Sequence, residues 1–137
     1  MTEMWATGRC LCGAVRYSAE MRPKWTALCH CESCRRSAAA PLVAWMGFET
    51  HQVHWTGDRS FFRSSAKAKR GFCGGCGTQM SFESTKWPGE LHLYAVSLDD
   101  PTRYEPQLHC HVREQLPWLH IGDDLPRFEA TAEVPPP

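Results

Sequence analysis

Eight cysteines are spread over 137 residues, and seven of them fall into three tight groups: Cys10-Leu11-Cys12-Gly13, Cys29-His30-Cys31-Glu32-Ser33-Cys34 and Cys73-Gly74-Gly75-Cys76-Gly77. A chain of this length has room for one domain and one modest hydrophobic core. Whatever fold it takes must therefore gather these groups at very few points. Disulfides and metal ions compete for clustered thiols. The segment Met1 to Gly8 has neither a basic n-region nor an apolar h-region, so it does not read as a secretory signal. The expected compartment is the cytoplasm, where disulfides are rare, so metal binding is the expected use of these thiols.

Spacing divides the seven sulfurs unequally. In Cys10-x-Cys12 an extended backbone puts both thiols on one side, and Gly13 lets the chain turn so that both face one ion. In Cys73-Gly74-Gly75-Cys76-Gly77 the glycines permit the positive φ of a tight knuckle and let backbone amides approach the thiolates. Two sulfurs from each arm complete a tetrahedral four-sulfur site, the arrangement of structural zinc. Such a site also clamps a loop of about sixty residues, where loop-closure entropy gives a metal clip its effect.

The middle group offers three thiolates, Cys29, Cys31 and Cys34, with no fourth ligand nearby in sequence. Structural zinc sites close with four protein ligands, so a three-sulfur site with an open position is the pattern of a reactive ion. Cys34 falls at the expected start of a short helix, and Arg35 and Arg36 follow it, both of which favour thiolate. A second structural site closed by His109, His111 or Cys110 is the alternative. His30 lies between two candidate ligands and points to the opposite face of an extended strand, as a packed or solvent-facing residue. Cys110 is expected in the core.

Period-2 alternation predicts short strands over residues 14–18, 25–29, 53–55, 79–82 and 91–96. A helix is expected only over Ser33 to Ala40, ending at Pro41, with Ser33 as a cap and a further short piece near Glu114. Ten prolines and ten glycines suit many tight turns, so the class is mainly β. The expected core is Val15, Tyr17, Val43, Val53, Trp55, Phe61, Phe82, Leu93 and Val96. No repeat divides the chain, so residues 1–130 read as one zinc domain and 131–137 as a flexible tail. Fifteen basic residues balance fifteen acidic ones, which disfavours a nucleic-acid partner, and no apolar run is long enough for a membrane span.

The stretches Gly8-Arg9-Cys10-Leu11-Cys12-Gly13-Ala14-Val15-Arg16-Tyr17, Cys29 to Arg36, and Phe72-Cys73-Gly74-Gly75-Cys76-Gly77-Thr78 together resemble the family of glutathione-dependent formaldehyde-activating enzymes and centromere protein V. The likeness continues through Val96 to Pro101, Leu116-Pro117-Trp118 and Leu125 to Phe128, nearly the whole chain. It implies a β-tent fold of small twisted antiparallel sheets organised around two zinc ions. One zinc is closed by Cys10, Cys12, Cys73 and Cys76; the other is reactive, on Cys29, Cys31 and Cys34. It also implies a carbon–sulfur lyase-type reaction that joins glutathione to formaldehyde, or to a related small electrophile, as S-hydroxymethylglutathione. Arg35 and Arg36, with Lys67, Lys69 and Arg70, are the candidates for holding glutathione carboxylates. The chain departs from formaldehyde-activating members at Gly74-Gly75, where those carry larger polar or basic residues. The alternative is a non-catalytic zinc module that contacts nucleic acid through Arg59, Arg63, Lys67, Lys69 and Arg70, or a protein partner through Trp5, Trp87 and Trp118. Oligomeric state is left open.

Overall fold

The computed structural model describes residues 3–132, so Glu133 to Pro137 of the expected tail lie outside the described residues. Strands β1 (Met4–Arg9), β2 (Arg16–Glu20) and β5 (Val53–Thr56) form a three-stranded antiparallel sheet in the order β1-β2-β5. A seven-stranded sheet is built from β3 (Trp25–Cys29), β4 (Val43–Glu49), β6 (Ser60–Arg63), β7 (Ala68–Phe72), β8 (Gln79–Ser84), β9 (Glu90–Tyr94) and β10 (His109–Cys110). Its order is β10-β3-β4-β9-β8-β7-β6, and every pairing is antiparallel except that of β10 with β3. One helix, α1 (Glu32–Ala38), joins β3 to β4. The molecule is mainly β, as the turn-rich sequence predicts.

Strand β4 escapes the alternation test because it is buried on both faces: Val43, Trp45, Met46, Gly47 and Phe48 are all inaccessible. A strand covered on both sides reads as a continuous apolar run, not as a period of two. The bounds of α1 differ from expectation by two residues. Cys31, not Ser33, is the cap, its Sγ accepting from the Cys34 amide at 3.3 Å, and Ala39 closes the helix in the left-handed region. The piece near Glu114 is a single 3-10 turn, Val112–Glu114.

Two apolar clusters hold the layers together. One packs Val15, Tyr17, Val53, Phe48, Leu91 and Leu93 between the sheets; the other gathers Val43, Trp45 and Tyr94 around Cys29 and Cys34. Trp55 and Phe82 pack against these clusters only half-buried. Two expected core residues are outside them. Phe61 is 46% exposed because β6 is the sheet's edge, and its ring is covered by Arg59 and Lys69 instead. Val96 is 80% exposed because β9 stops at Tyr94 and the chain turns through a 3-10 helix. Gly47 is dictated by its neighbour across β3: a Cβ there would meet Trp25 Cε2 at 2.1 Å. That vacancy lets the Trp25 indole lie flat on β4.

Candidate functional site

The four-sulfur group forms where two hairpins meet. Cys10 and Cys12 lie in the β1–β2 connection, and Cys73 and Cys76 in the β7–β8 connection, so the group pins the small sheet to the large one. Cys12 Sγ stands 3.7 Å from both Cys10 Sγ and Cys73 Sγ. A tetrahedron with metal–sulfur bonds of about 2.3 Å needs sulfurs about 3.8 Å apart, so the donor set already has the size of a closed thiolate site. Gly13 and Gly77 take the positive φ values that these turns require. Amides of Val15 and Cys76 donate to Cys10 Sγ and Cys73 Sγ at 3.3 and 3.5 Å. Thr78 was not anticipated. Its Oγ1 accepts from the Leu11 amide at 3.1 Å and lies 3.2 Å from Cys76 Sγ, linking the two arms. That hydroxyl, with the Thr78 and Cys12 amides, pulls the Cys76 thiol down to about 5.

The three-sulfur group sits at the corner between β3 and α1: Cys29 ends the strand, Cys31 caps the helix and Cys34 occupies its first turn. Cys29 Sγ and Cys34 Sγ are 3.8 Å apart, the same tetrahedral spacing. Among the described residues only these three sulfurs form the group. Crowding raises their proton affinity. The Cys29 thiol is pushed up, first by Cys110 and then by Cys31, and Cys34 is pushed up to about 11, first by Cys29. A bound cation is what would make three thiolates favourable here. Cys110, expected in the core, is only half-buried. It pairs in register with Cys29 and lines the cavity beside the group.

The histidines divide by face. His30 is fully buried behind the cysteines, with Nε2 2.9 Å from His109 Nδ1, while His109 Nε2 lies 2.9 Å from Asp123 Oδ2. Asp123 being an acceptor, His109 donates to it and accepts from His30. Burial and the neighbouring His109 push the His30 imidazole down to about 4. His109 is thereby committed to this chain of bonds, whereas His111 lines the cavity.

That cavity, about 670 Å³, opens directly on Cys29, Cys31 and Cys34. Its wall is aromatic. Trp45 and Phe82 have ring centroids 5.9 Å apart, Phe82 and Trp87 6.5 Å, and Trp25 meets His92 edge-on at 4.7 Å. Glu90 Oε1 lies 2.8 Å from both Trp25 Nε1 and His92 Nε2, tying two of the rings together. The cations that line the cavity are Lys24, Lys67, Arg70 and Lys86. Arg35 and Arg36 stand outside that lining: Arg35 Nε donates to the His30 carbonyl at 3.1 Å, and Arg36 pairs with Glu32 at 2.7 Å. Lys69 pairs with Glu83, 3.6 Å away. The basic set Arg59, Arg63, Lys67, Lys69 and Arg70 is not one open patch, since Arg70 is buried and Arg59 is folded onto Trp55 and bonded to Ser81.

The sequence pattern of the family described as glutathione-dependent formaldehyde-activating enzyme matches residues 5–114. The chain belongs to this family. An uncharacterised lyase of Schizosaccharomyces pombe is 33% identical over 78 residues, which span 57% of this chain and 57% of that protein. A Halomonas elongata protein named "Putative glutathione-dependent formaldehyde-activating enzyme" is 26% identical over 124 residues, 83% of this chain and 79% of the relative. A crystal structure of a Rhodobacter sphaeroides protein has a similar fold, with a TM-score of 0.59 at 21% identity over 71% of this chain and 93% of that one. Among the described residues no helix is long and apolar enough to cross a membrane.

Proposed function

We propose that this chain is a zinc-dependent carbon–sulfur lyase-type enzyme that adds a thiol, glutathione or a close relative, to formaldehyde or a related small electrophile, within a β-tent fold organised around two zinc ions. The observation that carries the reading is a three-sulfur group of tetrahedral size whose open side faces a cavity. The four-sulfur group supports a purely structural ion, since its members tie two hairpins and their four sulfurs fill a tetrahedron, leaving no coordination position for a substrate. When bound, a zinc ion on Cys29, Cys31 and Cys34 supplies a position at which an incoming thiol is held as thiolate.

The chain's own residues do the rest. The Cys34 amide donates to Cys31 Sγ and fixes that ligand at the helix start. The aromatic wall excludes water from the electrophile, which otherwise hydrates. The carboxylates of a peptide thiol reach Lys67 and Lys86 on the lining of the cavity, so in this reading that contact passes to them from Arg35 and Arg36. Sulfur attacks the carbonyl carbon, a C–S bond forms, the π pair moves to oxygen, and the thiol's proton ends on that oxygen.

Metal analysis of the purified protein is expected to give two zinc ions per chain. Cys31→Ser should lose one ion and the thiol-addition activity while keeping its circular dichroism spectrum; retention of both ions would overturn the assignment.

A further inference from the structure

The cavity beside the three cysteines measures about 670 Å³, which leaves room beside a peptide thiol for an electrophile larger than formaldehyde. That is the size class of pockets that enclose drug-sized ligands, about 300–1,000 Å³. Its wall is not closed core either. Trp25, Phe82 and Trp87 are only half-buried and present ring surface to the cavity, while Glu90 holds Trp25 and His92 in place. A rigid set of half-covered aromatic rings is matched by a flat apolar group, because burying both surfaces together removes them from water and allows stacked or edge-on ring contacts.

Arg70 supplies the second observation. It is 6% exposed, lines the same cavity, and its Nη1 has no hydrogen-bond partner. Its guanidinium lies 4.9 Å from the Phe82 ring centroid, at the end of the aromatic wall. No carboxylate pairs with it among the described residues. A buried guanidinium with an idle N–H is costly unless an acceptor completes it. Arg70 and the three cysteines line one and the same cavity.

We infer that the electrophile of this chain is an aromatic aldehyde, its ring against Phe82 and Trp87 and its carbonyl oxygen on Arg70 Nη1. The inference rests on the thiol-addition reading above and names the substrate class within it. As sulfur attacks the carbonyl carbon, the oxygen gains the π pair and a full negative charge. A fixed cation at that oxygen lowers the barrier, because its interaction is stronger with the alkoxide than with the carbonyl. The proton given up by the thiol returns to the oxygen, so the product is a neutral hemithioacetal and nothing is oxidised or reduced.

The zinc-loaded protein is tested with two probes. Benzamide, flat and carbonyl-bearing but unreactive to thiols, reports the pocket by calorimetry or protein NMR. Benzaldehyde and formaldehyde, each with glutathione, report addition by NMR exchange. Benzamide is expected to bind saturably, and Arg70→Met to weaken it about tenfold or more. Arg70→Lys keeps the charge without the planar fork and is expected to recover only part of the loss. Trp87→Ala should lower the benzaldehyde-to-formaldehyde ratio of kcat/KM at least about tenfold. If benzamide does not bind while formaldehyde addition proceeds, the aromatic assignment is overturned and the thiol-addition reading stands. Benzamide binding with no addition of thiol to either aldehyde overturns both. If Arg70→Met sheds zinc and loses both aldehydes equally, Arg70 merely balances the charge of the sulfurs, and its assignment to the carbonyl oxygen is overturned.

Discussion

Replacing Cys73 with Ser should destabilise this protein about twice as much as replacing Cys34 with Ser, although both thiols are buried and both lie in three- or four-sulfur groups. The difference comes from the chain that each group closes. Cys12 and Cys73 are 61 residues apart, so an ion shared between them acts as a long-range cross-link. The chain-entropy expression for a cross-linked loop of that length gives about 4 kcal/mol. Cys29 and Cys34 are five residues apart, and the same expression gives about 2 kcal/mol. The local cost of burying a hydroxyl in place of a thiol is common to the two variants and cancels in the comparison. For a domain of this size each kcal/mol moves the melting temperature by about 3–5 °C. Cys73→Ser is therefore expected to melt about 12–20 °C below the metal-loaded parent, and Cys34→Ser about 6–10 °C below it. Near-ultraviolet circular dichroism follows both transitions, since six tryptophans report on tertiary packing. A strong chelator strips both ions and should bring the parent below the Cys73→Ser value. Equal losses, or a larger loss for Cys34→Ser, would refute the division of the sulfurs into a clamp and an open site.

Thr78→Val removes the hydroxyl that does most to hold Cys76 at about 5. Its thiol then rises, metal uptake must release an extra proton, and zinc affinity measured by chelator competition should fall more at pH 6 than at pH 8. Glu90 is held below its ordinary value, first by His92 and also by Trp25. A depressed carboxylate contributes stability that is complete above about pH 4.5 and is lost as pH falls through the folded-state value, so Glu90→Gln should flatten the acid side of the stability–pH curve. Gly47→Ala drives a methyl into the Trp25 ring and should cost about 1–3 kcal/mol in denaturant unfolding, with a red-shifted tryptophan emission as the indole leaves Glu90.

Strands that alternate apolar with polar residues are legible: β2, β3, β5, β8 and β9 all coincide with predicted segments, to within a few residues, β9 because His92 interrupts its apolar run although both of its faces are buried. Strand β4 is not, because apolar residues fill both of its buried faces and erase the period. Edge strand β6 misleads in the opposite sense, its Phe61 reading as core while its ring packs against cations. Cys110 reads as core because nothing in its neighbourhood announces that β10 returns parallel to β3 and sets it beside Cys29. Thr78 carries no local signal for a similar reason: its partner, the Leu11 amide, lies 67 residues away.

The local sulfur clusters are written in spacings of two to five residues, because over so short a length the backbone has few ways to point its side chains, whereas the meeting of Cys10 and Cys12 with Cys73 and Cys76 spans 61 residues and is settled by the packing of the two sheets. The aromatic cavity had no such local signature. Trp25, Trp45, Arg70, Phe82 and His92 come from β3, β4, β7, β8 and β9, five strands that stand side by side in the order β3-β4-β9-β8-β7. Strand order and register are settled by which faces the whole molecule can bury, a global condition that no window of the sequence contains.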